Sequence, residues 1–306
     1  MNRWPRSKGA SGANPETYAE PVRPVKSVWR YSAFTTNPDG GNPAGVVLDA
    51  SELDAAGMLA IAADVGYSET AFVTPRHGNS GREFDVRYFS PEVEIPFCGH
   101  ATIAAAVALA ERIGPAPMRF HTLAGEVPIA TALRDGQIIA TLTSVAPAVL
   151  EIDEQDVDHA LVALRWSRED LDPELPARIA YAGARHLILA ARTRTRLADL
   201  DYDFEALRSF MTPRELITVD LVWCEDERTY HSRNAFPIGG VVEDPATGAA
   251  AAALGAYLRE LGLITPPTTI IVHQGSDMGR PSVIEVHVDD RRREISVSGT
   301  AVPITV

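Results

Sequence analysis

Residues Ala101-Thr102-Ile103-Ala104-Ala105-Ala106-Val107-Ala108-Leu109-Ala110 form a run of small, mostly apolar side chains with almost no polar face. A helix that is apolar all round must be enclosed by protein, so the run predicts a central helix, from Ala101 to Ile113, wrapped by strands. The same construction returns in the second half of the chain. Apolar Ala235-Phe236-Pro237-Ile238, the pair Gly239-Gly240 and a short acidic turn lead into a second alanine-rich run, Ala249 to Leu258. The sequence therefore reads as an internal duplication, two lobes of mixed helix and strand, each built around one buried helix.

Outward from the first helix, Val28 to Phe34 alternates like a strand, Ala44 to Leu48 is a short apolar strand, and Phe84 to Phe89 alternates again. Ser51 is placed to cap a helix whose apolar positions Met58, Leu59, Ile61, Ala62 and Val65 keep a helical period, with Gly66 at its stop. Further strand candidates are Gln137 to Thr143, His186 to Ala191, Thr268 to His273, Val283 to Val288 and Glu294 to Ser298. The boundary near Ser144 to Pro147 gives an N-terminal lobe over 27–145 and a C-terminal lobe over 146–306. Residues 1–26 are rich in Pro, Gly, Ser, Ala, Lys and Arg without a hydrophobic period and read as a flexible extension.

Composition narrows the function classes. A net charge of -13 repels a phosphate backbone or an anionic membrane over most of the surface, which argues against nucleic-acid or membrane partners. It leaves room for a small anionic substrate, because helix N-termini hold carboxylates whatever the overall charge. Cys98 and Cys224, in unrelated contexts, give neither a disulfide framework nor a zinc cluster, and a reducing cytoplasm fits them.

Both central helices begin at related loops, so their unpaired N–H groups and positive dipole ends suggest a shared anion-binding cleft. His100 at the first helix start is either a neutral donor or acceptor for a substrate or a residue bonded to its own loop. Asp244 before Pro245 has the pattern of an N-cap followed by proline at the first helical position; the alternative turns its carboxylate into the cleft. Glu69, in Gly66-Tyr67-Ser68-Glu69-Thr70, is a solvated loop residue or an acid/base.

Several blocks in order resemble the phenazine-biosynthesis PhzF-like family. They are Asn42-Pro43-Ala44-Gly45-Val46, Gly66-Tyr67-Ser68-Glu69-Thr70-Ala71-Phe72, Glu94-Ile95-Pro96-Phe97-Cys98-Gly99-His100-Ala101-Thr102, Glu243-Asp244-Pro245-Ala246-Thr247-Gly248 and Gln274-Gly275 through Pro281. The resemblance implies a diaminopimelate epimerase-like α+β fold, two similar barrel-like lobes related by a pseudo-twofold with the active site between them. It also implies a cofactor-independent and metal-free isomerase acting on a small molecule, as a homodimer. The family's best-known member isomerises trans-2,3-dihydro-3-hydroxyanthranilate by moving a proton. By this resemblance Glu69 is the acid/base, His100 and Asp244 complete the catalytic set, and Ser68, Gly99, Gly248 and Ala249 line the substrate site.

Ala249 stands where the family commonly has a serine whose hydroxyl contacts the substrate, so the resemblance implies a substrate that can differ from the phenazine precursor. Cys98 stands where related racemases carry their first catalytic thiol, but the matching second thiol is absent, and a small residue packing the helix entry is the reading favoured here. The alternatives to an isomerase are an amino-acid racemase or epimerase using Glu69 or Asp244 opposite Cys98, and a catalytically silent binding protein of the same fold.

Overall fold

The computed structural model describes residues 27–76 and 81–305, so the flexible extension expected over 1–26 lies outside the described residues. The first half runs β1 (Trp29–Ala33), β2 (Asn42–Val47), α1 (Ala55–Val65), β3 (Glu69–Pro75), β4 (Glu83–Phe89), β5 (Glu94–Ile95), α2 (Gly99–Ile113), β6 (Met118–Thr122), β7 (Gly125–Arg134), β8 (Gln137–Thr143) and β9 (Ala148–Leu150). The second half runs α3 (Glu154–Leu164), β10 (Arg178–Tyr181), β11 (Arg185–Ala190), α4 (Arg194–Ala198), α5 (Phe204–Met211), β12 (Leu216–Asp226), β13 (Thr229–Ala235), β14 (Glu243–Asp244), α6 (Gly248–Glu260), β15 (Thr268–Gln274), β16 (Ser282–Val288), β17 (Ile295–Gly299) and β18 (Ala301–Pro303).

Strand pairing makes the duplication explicit. The order is β18-β1-β2-β3-β4-β6-β7-β8, joined through β8–β17 to β17-β16-β15-β13-β12-β11-β10-β9. Read from either end, the order is the same under exchange of the two halves. Parallel pairs fall at equivalent places, β2–β3 with β11–β12 and β4–β6 with β13–β15, and the two-residue strands β5 and β14 pair with the far ends of β4 and β13. The tips are exchanged, since β9 from the first half pairs with β10 and the C-terminal β18 pairs with β1.

Each half wraps its central helix. In α2 every residue from His100 to Ala110 is buried, as is every residue of α6 from Ala250 to Leu258, which is what helices without a polar face require. Small alanines let the strands approach closely, and burial of larger members such as Ile103 and Leu254 contributes roughly 1.5 to 3 kcal/mol each. The outer faces differ. In the first lobe α1 covers Val47, Phe72 and Phe89, while in the second α3 and α5 build a larger layer over Leu187, Leu189, Val219 and Leu221.

Both central helices start earlier than their hydrophobic runs, at Gly99 and Gly248, because glycine carries no apolar signal. The first surface helix corrects an expectation: Asp54, not Ser51, is the N-cap, accepting from the Gly57 N–H, while Gly66 takes the left-handed C-cap conformation as expected. Among the described residues no helix is long and apolar enough to cross a membrane.

Candidate active site

The N-termini of α2 and α6 meet where the two halves join, and neither is capped by its own side chain: the N-caps Cys98 and Thr247 make no cap hydrogen bond. Their first turns carry the positive end of each helix dipole. Asp244 is not the N-cap that its Asp-Pro pattern predicted. The short strand β14 holds it three residues upstream of Thr247, and Pro245 lies outside the helix, so the carboxylate is taken up by side chains at the junction and not by the first turn of α6.

The parallel strands β2 and β3 deliver the rest. Glu69, the first residue of β3, is partly buried, and its Oε2 lies 3.2 Å from His100 Nε2. Ser68 Oγ is 3.5 Å from the same nitrogen. Cys98 Sγ is 3.6 Å from Glu69 Oε2 and 3.4 Å from His100 Nδ1, so the thiol packs at the helix entry and also touches the acid and the imidazole. Across the junction, Asp244 Oδ2 accepts from Thr247 Oγ1 at 2.5 Å. Asn42 donates from its amide nitrogen to Asp244 Oδ1 at 2.8 Å and to the Ala246 carbonyl at 3.1 Å, with His100 Nδ1 3.1 Å away. The structure thus gathers Glu69, His100 and Asp244 at one place. Ser68 borders the imidazole there, and Gly99, Gly248 and Ala249 lie in the opening turns of the two helices.

Environment separates the roles. Burial pushes the Asp244 carboxyl above the usual carboxylate range, and nearby Glu69 adds to that, while His100, Thr247 and Asn42 pull it down. Burial likewise raises the Cys98 thiol well above its ordinary value, which keeps it protonated and a poor nucleophile. Glu69, Cys98 and His100 offer three ligand-type atoms within 4.8 Å, the one such group among the described residues. A metal there would have to replace the contacts that these three groups make with one another.

Sequence reasoning missed three contributors. Asn42, Thr247 and Gln274 each lie inside a conspicuous sequence block, but nothing in the local sequence signals their contacts. Buried Gln274 accepts from the Thr247 N–H at 2.9 Å and donates to the Asp244 carbonyl at 2.7 Å, so it ties down the loop that presents Asp244. A glutamine before glycine at a strand end carries no local signal of that use.

The profile of the family described as phenazine biosynthesis-like protein (PhzC-PhzF) matches residues 31–305. An uncharacterized isomerase of Escherichia coli (strain K12) is 30% identical over 293 residues, covering 90% of this chain and 95% of that protein. The trans-2,3-dihydro-3-hydroxyanthranilate isomerase of Pseudomonas chlororaphis is 32% identical over 274 residues, covering 88% and 94%. The crystal structure of a Bacillus anthracis phenazine biosynthesis protein of the PhzF family superposes with a TM-score of 0.80 at 28% identity, covering 91% of this chain and 96% of that one. A hydroxyproline epimerase from Agrobacterium vitis, at 14% identity and a TM-score of 0.62, covers 91% and 90% and shares the fold. With a family match over nearly the whole chain and a two-lobed fold shared with solved members, this chain belongs to the phenazine biosynthesis-like (PhzF) family.

Proposed function

We propose that the chain is an isomerase that moves a proton between carbons of a small, carboxylate-bearing, cyclic unsaturated metabolite, with its own side chains supplying the acid/base chemistry. The observation that carries this reading is Glu69 at 3.2 Å from His100 Nε2, beside two uncapped helix N-termini. The N–H groups of Gly99, Gly248 and Ala249, in the first turns of helices without a side-chain N-cap, hold the substrate carboxylate. Glu69 takes a proton from carbon beside the activating group and returns it to another carbon on the same face, so one carboxylate is base and then acid. His100 and Asp244 orient the substrate's polar groups and stabilise charge in the intermediate. Ala249 offers its N–H without a hydroxyl, which favours a substrate with one polar contact fewer than dihydro-hydroxyanthranilate.

The equivalence of the lobes speaks against a two-thiol racemase. Cys98 and Thr247 are the N-caps of α2 and α6, so the position facing Cys98 across the pseudo-twofold is a hydroxyl. Cys224 lies near the far end of β12.

The test is an NMR assay in deuterium oxide with trans-2,3-dihydro-3-hydroxyanthranilate and related cyclic unsaturated amino acids, on chelator-treated wild type beside Glu69→Gln. Conversion or deuterium uptake confined to wild type is the expected result. Full turnover by Glu69→Gln would overturn the assignment of the proton carrier.

A further inference from the structure

Asn42 opens β2 and is buried, two residues before Ala44, which pairs with Glu69. Its amide nitrogen faces His100 Nδ1 at 3.1 Å, Asp244 Oδ1 at 2.8 Å and the Ala246 carbonyl at 3.1 Å. Turning the amide over would set its oxygen against a carbonyl and a carboxylate, so these partners fix which end points inward. An amide NH₂ only donates. Its two hydrogens are therefore spread over three acceptors, and Nδ1 of His100 must present a lone pair. In a neutral ring the proton then resides on Nε2, the atom 3.2 Å from Glu69 Oε2.

We infer that Asn42 is a positioning residue that holds His100 as the Nε2–H tautomer, aimed at the Glu69 carboxylate, and ties this pair to Asp244 across the lobe junction. The inference rests on the reading of Glu69 as proton carrier. With a hydrogen already on Nε2, His100 steadies negative charge on Glu69 or on the substrate but cannot take the proton that Glu69 removes from carbon. That proton stays with Glu69 until it is returned, which makes the transfer intramolecular. The same tautomer guards the site against metals. The separations Cys98 Sγ to Glu69 Oε2 of 3.6 Å, Cys98 Sγ to His100 Nε2 of 3.8 Å and His100 Nε2 to Glu69 Oε2 of 3.2 Å fall within about 0.3 Å of the ligand-to-ligand edges, about 3.3 to 3.5 Å, of a tetrahedral zinc site. A metal needs the Nε2 lone pair, and ligating histidines donate their other N–H to an oxygen, the partner that Asn42 withholds.

The experiment is ¹⁵N NMR of the histidine-labelled resting protein, with the His100 signals identified from a His100→Asn spectrum. Wild type is expected to show neutral His100 with a bare Nδ1 and a protonated Nε2; the opposite tautomer overturns the inference. This reading needs no substrate, so it stands apart from a failure of the isomerase assignment, which would appear as absent turnover with the tautomer intact. Asn42→Ala is expected to mix the tautomers and lower kcat on trans-2,3-dihydro-3-hydroxyanthranilate about 10- to 100-fold, the size typical of losing a group that orients a histidine, with a smaller change in KM. An unchanged His100 spectrum in Asn42→Ala overturns the inference. Asn42→Asp, which offers Nδ1–H an acceptor, is expected to gain a cobalt(II)-thiolate absorption band that wild type lacks and that Asn42→Asp with Cys98→Ala loses. That band in wild type would overturn the guarding role.

Discussion

Arg87 with Glu94 in the N-terminal lobe, and Arg233 with Glu243 in the C-terminal lobe, stand at equivalent positions on β4–β5 and β13–β14. In each pair the arginine grips the glutamate with two nitrogens, Arg87 at 2.6 and 2.7 Å and Arg233 through Nε at 2.9 Å with Nη2 on the other oxygen. Each clamp holds the two-residue strand that feeds the loop before a central helix. Their surroundings differ: the side chains are 36% and 24% exposed in the first lobe but 9% and 7% in the second. The second strand carries Asp244 and the first carries Ile95, so the deeper clamp holds the strand with a charge to aim. A duplicated scaffold has kept one device twice and buried it more deeply beside the strand that carries Asp244.

The lobes also differ in what replaces Glu69. By strand register its counterpart is Thr218, which is buried and bonded to Asn234 and His186. The comparison therefore predicts that Glu69→Gln lowers kcat about 10²- to 10⁴-fold, as loss of a general base does, whereas Thr218→Val costs stability and leaves kcat in the wild-type range. Equal kinetic losses in the two variants would break the asymmetry.

The clamps give the next effect. Glu243→Gln leaves a buried guanidinium unpaired and is expected to cost about 3 to 5 kcal/mol in urea unfolding, against roughly 1 kcal/mol or less for Glu94→Gln at its wetter site. Similar costs would mean that exposure does not govern these pairs.

Two left-handed glycines sharpen the comparison further. Gly66 (φ 71°) precedes the Glu69 strand, and a methyl there meets nothing within 4 Å, so Gly66→Ala carries only the conformational cost of about 1 to 2 kcal/mol. At Gly275 (φ 74°) a methyl would lie 2.3 Å from the Arg280 carbonyl and 2.7 Å from that of Pro245. Gly275→Ala is expected to unfold at lower urea than Gly66→Ala and to lower kcat by shifting the Asp244 loop.

The smallest effect is a pH slope confined to the second lobe. Burial pushes the Asp220 carboxyl up to about 7 and the His186 imidazole down to about 3. Folded Asp220 holds a proton that the unfolded chain releases near pH 4, so its contribution to stability is lost as pH rises towards 7. Folded His186 stays neutral where the unfolded chain binds a proton, so its contribution is lost as pH falls from about 6.5 towards 3. The two slopes oppose each other. Asp220→Asn should therefore make thermal stability fall more steeply on acidification, and His186→Gln should make it fall more steeply as pH rises through the same window; parallel profiles for both variants would refute the pairing.

The sequence by itself determined the two central helices and the duplication, because an alanine-rich run with no polar face has one stable placement, inside. It also determined the blocks that carry the family resemblance and the positions of β1, β2, β4, β8, β11, β15, β16 and β17, but not those of the long strands β7, β12 and β13. Which strands pair, the exchange of β9 and β18 and the extra layer under α3 and α5 were not legible, since short strands carry no label for their partners. The candidate site was half legible. Glu69, His100 and Asp244 could be named from motifs, but Asp-Pro reads as a helix cap, and only the tertiary structure moved the cap to Thr247 and set the Asp244 carboxylate against Asn42. The contact from Asn42 to Asp244 spans 202 positions, and no local periodicity encodes it; it exists because a parallel strand of one lobe and a two-residue strand of the other end at the same junction.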